Sequence, residues 1–453
     1  MITFSHILGE NIAAGLGIIG IGETDPWIDS ISQYGSLRSD GLAALSMLPA
    51  RYGWGFFYVP FFFLILILNQ ARGGIDRAHL FFLLLMASTA FLTFLRQRFD
   101  HIFSLFVAIS TAHLITVFYD YIKIKLPRGR FPAALAAALM ALLLIHPLAR
   151  FFPAFASTRP GFSIEGPVED AMLWLKEQTP SAGDPYDGSV VPAYSVMARW
   201  DYAGWIEYLA ERPVVATLYG FETFGLKESA AFHLAEEEAE AEEILKKVGA
   251  RYVLITKTIG ALQTYAGILG RGGEGYARLV HLPGGEGEIY RPGPKYYDLV
   301  ATRLLMTDGR NLEVGPVRFE PLHHFRLVYE SKERMNLVGF PEEVKRIKIF
   351  EYLPGAKLTV KARAGMEVSL TATVKTNRGR IFDIVRRGVA DGDGLLSFSI
   401  PYPTVDTLSG WQLAAGDEKT GRPHISETDV REGKALAFDL SSRLLEGGTG
   451  GGE

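Results

Sequence analysis

Long apolar runs alternate with short, mostly basic breaks between residues 54 and 149. The runs are Trp54–Leu68, Ala78–Leu95, Ile102–Tyr119 and Phe131–Ala149. Each approaches the roughly 20 residues that an α-helix needs to cross a bilayer. Because four such runs in succession are rare in soluble domains, the pattern predicts a transmembrane region of four helices within residues 41–150.

The charges between the runs predict how these helices are oriented. The first and third breaks carry the basic residues Arg72, Arg77, Lys123, Lys125, Arg128 and Arg130. Positively charged loops stay on the cytoplasmic side, so residues 1–40, the break Arg96–Asp100 and the chain after Arg150 are expected outside. His113 and His146 fall inside predicted spans, where a helix–helix hydrogen bond is favoured over a functional role.

Beyond residue 160 the pattern becomes that of soluble domains. A helix is predicted at Val168–Gln178, another at Ser229–Gly249 and a buried strand at Arg251–Ile255, so residues 160–290 form an α/β domain. Residues 296–445 alternate apolar and polar positions, which predicts a β-sandwich or barrel. Its strands are expected at Arg326–Glu330, Arg346–Tyr352, Lys357–Ala362, Glu367–Val374, Arg380–Val385 and Leu395–Ile400. Residues 446–453 are Gly-rich and predict a flexible tail.

The fold class is therefore a multi-domain membrane protein. An external segment at 1–40 precedes four transmembrane helices, a mixed α/β extracytoplasmic domain and a β-rich module. The balance of 46 Lys+Arg against 50 Asp+Glu gives a net charge of −4, which calls for no nucleic acid partner. The absence of cysteine excludes disulfides, thiol nucleophiles and Cys-ligated metals. The adjacent His323 and His324 would point to opposite faces of a strand, so a metal shared between them is not expected.

Aromatic and acidic residues crowd together within Ala198–Val215, where Trp200, Tyr202, Trp205 and Tyr208 surround Asp201. Such a group suits a small polar recognition pocket, but an amphipathic helix that buries its rings explains the pattern equally well. Arg96 and Arg98 lie at the predicted outer ends of two spans. They could hold a lipid phosphate, although on the residues alone snorkelling of the two side chains to the membrane surface is favoured.

The segment Arg199-Trp200-Asp201-Tyr202-Ala203 resembles the Trp-Trp-Asp-Tyr-Gly motif of oligosaccharyltransferase catalytic subunits. That family includes bacterial and archaeal single-subunit enzymes and their eukaryotic relatives. The flanks Ala171–Leu175 and Ala210–Val215 are similar to the family's as well. Three further stretches fall in the family's order: Gly20-Ile21-Gly22-Glu23 in an external loop, Gln97-Arg98-Phe99 at the outer membrane face, and the weaker match Thr256–Ala266.

The resemblance implies transfer of a glycan from a lipid-linked (pyro)phosphate donor to the asparagine amide of Asn-X-Ser/Thr sequons. Glu23 would bind the acceptor amide, and Arg98 would bind the donor phosphate. Trp200, Asp201 and Tyr202 would hold the Ser/Thr hydroxyl, with Ile259 as an apolar contact. The implied cofactor is a divalent metal, Mg or Mn. The implied partners are the lipid-linked oligosaccharide, a sequon-containing peptide or protein, and membrane lipid.

The chain departs from the family pattern in two ways. Arg199 stands in place of the first Trp, and Ala203 in place of Gly. The resemblance also covers only the C-terminal portion of the family's chain, without the earlier spans that hold the metal ligands. We therefore expect a fragment, a truncated product or one half of a split enzyme that is inactive alone. A split enzyme would pair with a separate N-terminal half. Two alternatives remain: a non-catalytic membrane-anchored acceptor-binding protein, and a related lipid-linked glycosyltransferase with a different acceptor.

Overall fold

A computed structural model of the 453-residue chain describes most of its second half and part of its first. The described residues are 52–73, 76–95, 99–125, 134–135, 137–141, 166–184, 187, 189–217, 225–281, 288–335, 340–416 and 418–440. The chain divides into two compact units, residues 1–163 and 164–453. The predicted external segment 1–40 and the tail 446–453 lie outside the described residues.

Apolar helices make up the described part of the first unit. A 3-10 turn at Trp54–Tyr58 leads into α1 (Val59–Gly73), which is followed by α2 (Arg77–Leu95) and α3 (Asp100–Lys125). Two of these helical stretches, Trp54–Arg72 and Asp100–Lys125, are long and apolar enough to cross a membrane, and Leu80–Leu95 is a shorter apolar helix. Most of the fourth predicted run, Phe131–Ala149, lies outside the described residues.

The apolar side chains of these helices are mostly exposed. Phe61, Phe81, Leu84 and Leu105 are each more than 60% exposed. A core helix of a soluble protein would bury such residues, whereas a helix in lipid leaves them facing hydrocarbon. A small cluster that includes Phe62, Met86 and Phe106 joins the three helices.

The predicted hydrogen bond of His113 is present. The Tyr58 hydroxyl and His113 Nδ1 lie 3.1 Å apart, which links the start of the first helical stretch to the middle of α3. The ring of Phe62 lies 4.9 Å from the imidazole, so the polar contact is covered by apolar surface. This arrangement supports a structural role for His113.

The second unit is built around a mixed four-stranded sheet. Its strands are β1 (Ser195–Met197), β2 (Ala250–Ile255), β7 (Phe325–Glu330) and β10 (Lys348–Tyr352), in the order β1-β2-β10-β7. β1 and β2 run parallel, and β10 is antiparallel to both of its neighbours. Successive residues of β2 face opposite sides: Tyr252 and Leu254 enter one core cluster, Val253 and Ile255 the other.

Helices cover both faces of this sheet. α4 (Gly166–Gln178) buries Met172 and Leu175 against one face, and α5 (Ala203–Tyr208) buries Ile206 there. The remaining elements of this part are α6 (Leu226–Leu234), α7 (Glu238–Lys247), α8 (Leu262–Ile268), β3 (Ala277–His281), β4 (Glu288–Pro292), α9 (Val300–Thr307), β5 (Leu312–Val314), β6 (Val317–Phe319), β8 (Arg334–Met335) and β9 (Val344–Lys345). α7 and α9 contribute to the cluster on the opposite face.

The C-terminal part is rich in strands, as predicted. They are β11 (Ala356–Lys361), β12 (Glu367–Lys375), β13 (Ile381–Val389), β14 (Leu395–Ile400), β15 (Gln412–Ala415), β16 (Glu418–Gly421) and β17 (Ala435–Asp439), with α10 at Glu427–Glu432. They form two sheets, β14-β11-β17 and β13-β12-β15-β16. Alternate residues of β12 are buried. Buried residues of both sheets belong to one apolar cluster, as is usual where two sheets pack face to face.

That cluster also includes residues of the central part, from Met197 onward. One apolar cluster therefore spans the central and C-terminal parts of the second unit, and a second cluster lies on the other face of the central sheet. The division of this unit into domains at 160–290 and 296–445 stays a prediction.

The long helix predicted at Ser229–Gly249 was wrong. The chain forms two helices, α6 and α7, which are separated at Ala235, where the backbone is extended. The carbonyl of Ala235 accepts a hydrogen bond of 2.8 Å from the backbone N–H of Val300, in the first turn of α9. A tertiary hydrogen bond thus outweighs the helix propensity of this segment.

Candidate functional site

The candidate site forms where two parallel strands end side by side. β1 pairs with β2 in a register that places Met197 opposite Val253. The segments that follow the two strands, beginning at Ala198 and Thr256, therefore emerge at the same edge of the sheet. Carboxyl ends of parallel strands are the usual position of binding sites in such sheets. The pairing of β1 with β2 therefore brings the predicted Trp200–Tyr202 group close to the segment that contains Ile259.

The Trp-Asp-Tyr sequence forms a 3-10 turn, Trp200–Tyr202, directly before α5. Trp200 is only 8% exposed, whereas Asp201 is exposed and Tyr202 is half-buried. The turn thus anchors itself through one ring and presents the carboxylate outward. Of the other aromatic residues predicted here, Trp205 and Tyr208 are exposed on α5. The segment is neither a wholly aromatic pocket nor a simple amphipathic helix.

A stack of rings supports Trp200 from inside. The edge of the indole meets Tyr265 at a centroid distance of 5.0 Å, and Tyr265 lies stacked on His233 at 4.9 Å. Both supporting residues are fully buried. His233 Nδ1 lies 2.8 Å from the Ser229 carbonyl, while its Nε2 and the Tyr265 hydroxyl have no hydrogen-bond partner within the described ranges.

Burial controls the protonation of this stack. Desolvation lowers the pKa of His233 to about 4, and the positive charge of Arg199 acts in the same direction. The imidazole is therefore neutral near pH 7. Desolvation also raises the pKa of Tyr265. The interior beneath Trp200 is uncharged.

Arg199 grips the carboxylate of Asp201 with a two-pronged contact. Nε donates to Oδ1 at 3.0 Å, and Nη2 donates to Oδ2 at 2.5 Å. Nη1 donates to the Lys257 carbonyl at 2.7 Å, which ties the turn after β1 to the segment after β2. The guanidinium carbon lies 5.9 Å from the centre of the Tyr202 ring. Arg199 thus stacks on an aromatic ring although it replaces one.

This contact orients the Asp201 carboxylate and uses only part of its hydrogen-bonding capacity. A carboxylate offers roughly four lone-pair sites, and the fork uses one on each oxygen. The outer lone pairs can still accept a hydrogen bond from a bound hydroxyl. A charged acceptor forms a stronger hydrogen bond than a neutral one does.

Ile259 lies at the edge of an adjacent apolar cavity. It begins a 3-10 turn, Ile259–Ala261, that continues into α8, so the predicted helical segment Thr256–Ala266 is helical from Ile259 onward. The cavity has a volume of about 600 Å³ and is also lined by Tyr290, Tyr296 and Phe319. A second cleft of about 460 Å³ contains Arg199 and Tyr202. Lys257 and Met335 line both, so the two spaces adjoin.

Arg212 is a supporting residue that sequence reasoning missed. Its buried guanidinium donates to Thr179 Oγ1 at 2.9 Å and to the carbonyls of Lys176 and Thr179 at 2.8 and 2.9 Å. It therefore joins the end of α4 to the segment that follows α5. Both flanks had been singled out for their similarity to the family, but their contact was not predicted. His233 and Tyr265 were missed too, because a buried ring at helical spacing looks like any core residue.

Two predicted residues, Glu23 and Arg98, lie outside the described residues. Within the described part of the chain, no group of three or more His, Asp or Glu side chains could hold a metal ion. His323 and His324 precede β7 and do not form a strand. Their backbone N–H groups both donate to Glu238 Oε1, at 2.6 and 2.9 Å. The described residues therefore do not fit the implied divalent metal.

Comparison with known proteins matches both parts of the second unit. A family model for the AglB core domain matches residues 167–260, which include the turn at Trp200. A model for the archaeal glycosylation protein B long peripheral domain matches residues 355–436. Over 465 aligned residues the chain is 23% identical to dolichyl-phosphooligosaccharide-protein glycotransferase 3 of Archaeoglobus fulgidus. The alignment covers 76% of this chain and 51% of that protein, so the chain spans about half the length of this relative.

Solved structures share the fold. The archaeal oligosaccharyltransferase AglB from Archaeoglobus fulgidus, in complex with an inhibitory peptide and a dolichol-phosphate, matches with a TM-score of 0.70 at 18% identity. The match covers 97% of this chain and 63% of that one. An oligosaccharyltransferase from the same organism, in complex with Zn and sulfate, matches with a TM-score of 0.67 at 20% identity, over 89% and 62% of the two chains. Residues 167–260 and 355–436 thus match domain models of archaeal oligosaccharyltransferases, and the fold of the chain is similar to that of solved members of that family.

Proposed function

We propose that this chain takes part in transferring a glycan from a lipid-linked (pyro)phosphate donor to the asparagine amide of Asn-X-Ser/Thr sequons. Its second unit supplies the acceptor-binding site. The observation that carries the proposal is the turn Trp200–Tyr202, which is anchored from inside by a buried ring and presents a pre-oriented carboxylate at the edge of the sheet. The peptide and dolichol-phosphate bound to the AglB relative support both partners.

In this proposal, Asp201 accepts a hydrogen bond from the Ser/Thr hydroxyl. Trp200 and Tyr202 wall the hydroxyl residue, and Ile259 meets its apolar carbon atoms. A site built to pair a hydroxyl rejects analogues without one, because the carboxylate would then lose its partner. This contact explains how an Ala in place of Thr would be excluded.

The proposal also assigns roles to Glu23 and Arg98, which we expect near the membrane surface. The asparagine amide nitrogen is a poor nucleophile because its lone pair is conjugated with the carbonyl. A carboxylate that accepts hydrogen bonds from both N–H groups weakens that conjugation, and we assign this role to Glu23. Arg98 would neutralise the donor phosphate. A divalent metal would supply Lewis-acid stabilisation of a leaving phosphate in such chemistry.

The first unit is proposed to be embedded in the membrane as several spans, with the second unit on the extracytoplasmic side. The exposed apolar helices support membrane insertion. Accessibility labelling of single cysteines tests the sidedness. Because the chain has no native cysteine, each label reports one position.

The test of the acceptor site is direct peptide binding. The full chain in detergent is titrated with labelled Asn-Ala-Thr and Asn-Ala-Ala peptides, which differ only in the hydroxyl residue. We expect the Thr peptide to bind about tenfold more tightly, since a hydrogen bond to a charged group contributes roughly 1.5–3 kcal/mol. Asp201→Asn should remove most of that difference. Glu243→Gln is the matched control, because this glutamate is exposed on α7.

Equal binding of the two peptides by the unmodified chain would contradict the acceptor-site assignment. If Glu243→Gln lost the preference for the Thr peptide as Asp201→Asn does, the preference would depend on the net charge of the protein and not on the site. Glycan transfer itself is tested by adding a lipid-linked donor and following the peptide's mass.

A further inference from the structure

A polar cleft lies along the edge strands of the β-rich part. Its volume is about 640 Å³, within the roughly 300–1,000 Å³ typical of ligand pockets. Residues 385–387 of β13 and 396–399 of β14, each at the edge of its sheet, supply part of the lining. The β5–β6 hairpin and the segment that follows it supply the rest. The cleft shares no lining residue with the proposed acceptor site.

The cleft contains a buried cation without an adjacent counter-charge. Arg386 is only 6% exposed, and no carboxylate in the described part of the chain forms an ion pair with it. Its Nη2 donates to the Leu322 carbonyl at 2.6 Å, and its Nη1 reaches the Val385 carbonyl only at 3.5 Å. Its Nε has no hydrogen-bond partner among the described residues. The guanidinium is therefore held in place by carbonyl groups, and its charge is left uncompensated.

Glu238 is the carboxylate that acts on Arg386 from a longer distance. Its Oε1 already accepts hydrogen bonds from the backbone N–H groups of His323 and His324. Desolvation lowers the pKa of Arg386, but an arginine remains protonated at neutral pH. A buried charge without a partner is costly, and a guanidinium fork matches the two oxygens of a carboxylate or phosphate. Arg386 therefore calls for an anionic group in the cleft.

The rest of the lining suits hydroxyl groups. Asn311, Glu313 and Ser397 are exposed, and their side chains offer amide, carboxylate and hydroxyl partners. Ser399 also lines the cleft, and its buried hydroxyl has no hydrogen-bond partner within the described ranges. A small inorganic anion would fill little of this volume and would share the cleft with the carboxylate of Glu313. A neutral sugar would pair with the hydrogen-bonding groups but would leave Arg386 uncompensated.

We propose that this cleft binds a saccharide that carries a carboxylate. The carboxylate pairs with Arg386, and the hydroxyl groups of the sugar pair with Asn311, Glu313 and the two serines. Arg387, exposed in the same lining, adds a second positive charge beside the anionic group. This inference goes beyond the proposed acceptor site and does not depend on it, because the two sites have different residues.

The experiment is calorimetric titration of the full chain in detergent. The probes are trigalacturonic acid and its methyl ester, which keeps the sugar skeleton without the charges. We expect the acid to bind about tenfold more tightly at low ionic strength, as for a hydrogen bond to a charged group. Equal binding of acid and ester would overturn the proposal. Potassium phosphate should compete only weakly, and phosphate that binds as tightly as the trisaccharide would overturn the assignment to a sugar.

Variants locate the effect. Arg386→Gln should abolish most of the preference for the acid, and its melting temperature reports whether the fold persists. Arg387→Gln, at an exposed position that the fold does not need, should reduce the preference about twofold. Arg363→Gln, at an exposed arginine outside the lining, is the matched control and should retain the preference. A preference that survives in both Arg386→Gln and Arg387→Gln would assign the binding to another place and overturn the proposal.

A carboxylated sugar can reach the cleft on the lipid-linked donor or on a glycan that is already attached to a protein. The same trisaccharide is therefore offered on a polyprenyl phosphate and on the asparagine of a peptide. The source is the carrier whose affinity falls in Arg386→Gln, and no fall with either carrier would overturn the proposal. The preference for Thr over Ala in sequon peptides is measured in the same samples, so failure of the acceptor site is seen separately.

Discussion

Replacing His233 with Phe should remove part of the acid sensitivity of the fold. His233 is fully buried beneath the site, stacked at 4.9 Å on Tyr265, which in turn supports Trp200. Burial lowers its pKa from 6.5 to about 4, helped by the nearby charge of Arg199 and opposed in part by the Ser229 carbonyl. Phe keeps a flat ring of similar size but cannot take up a proton.

The sign of the effect follows from which state binds more protons. Between about pH 4 and 6.5 the unfolded chain protonates this histidine, while the folded chain keeps it neutral. Stability from this group is therefore complete above the unfolded pKa and is lost as the pH falls toward the folded pKa. With pKa values of 6.5 and about 4, the loss between neutral pH and pH 5 is about 2 kcal/mol.

The assay is the melting temperature of the full chain in detergent at pH 7 and pH 5, followed by tryptophan fluorescence. For a unit of this size about 2 kcal/mol corresponds to roughly 4–8 °C. The wild type should therefore lose about that much more melting temperature than His233→Phe on acidification. His323, whose pKa burial also lowers to about 4, contributes equally to both proteins and cancels in the difference.

The exposed His424 provides the control, because His424→Gln should show the same pH dependence as the wild type. Parallel melting curves for wild type and His233→Phe at both pH values would refute the reasoning. A variant that melts lower at pH 7 is still informative, since only the change with pH carries the test. Peptide binding measured in parallel shows whether acid releases Trp200 before the whole unit unfolds.

Three further substitutions test buried contacts of the second unit. Arg212→Ala should lower the free energy of unfolding by about 3 kcal/mol, because the hydroxyl and carbonyl of Thr179 lose a buried charged donor; denaturant titration measures it. Gly225→Ala should prevent stable folding of the second unit, since a Cβ there would lie 1.8 Å from the Val215 carbonyl oxygen at a backbone φ of +117°; soluble yield and melting report it. Lys348→Met should destabilise the fold by about 3 kcal/mol, because the buried carboxylate of Asp308 would lose its ion-pair contact with Lys348. A melting temperature equal to that of the wild type would contradict this prediction.

Hydrophobic patterning predicted most of the architecture of the second unit. The strand expected at Leu395–Ile400 has the observed bounds, and that at Glu367–Val374 differs by one residue. Period-two alternation is a local signal, and these strands bury one face each, so the signal and the structure agree. The Ser229–Gly249 helix failed for the opposite reason. Its break at Ala235 depends on a hydrogen bond with Val300, which is distant in sequence.

The candidate site was predictable only in pieces. Aromatic and acidic density marked Trp200–Tyr202, and the resemblance to a family motif gave these residues a role. Nothing local indicated that Arg199 would reach the Lys257 carbonyl. The segments that begin at Ala198 and Thr256 lie side by side because β1 pairs with β2, and this pairing is a property of the sheet. Long-range register is the information that one sequence, read locally, does not contain.

At Arg199 the chain departs from the motif that it resembles, and this residue makes polar contacts that a tryptophan could not make. A tryptophan at this position would hold the turn by packing alone. Arg199 holds the turn through directional contacts. Its guanidinium makes a two-pronged contact with Asp201, one hydrogen bond to the neighbouring segment and a ring contact with Tyr202.

These contacts are polar and partly exposed, since the Arg199 side chain is 23% accessible, so they weaken in salt where an aromatic wall would not. Arg199 therefore orients the carboxylate that we assign to the hydroxyl. Arg199→Trp should preserve the Thr-over-Ala preference and make it less sensitive to salt, because packing would replace the polar fork on Asp201. Peptide binding of this variant and of the wild type across a salt series measures the preference, and loss of the Thr preference in the variant would show that the fork is indispensable.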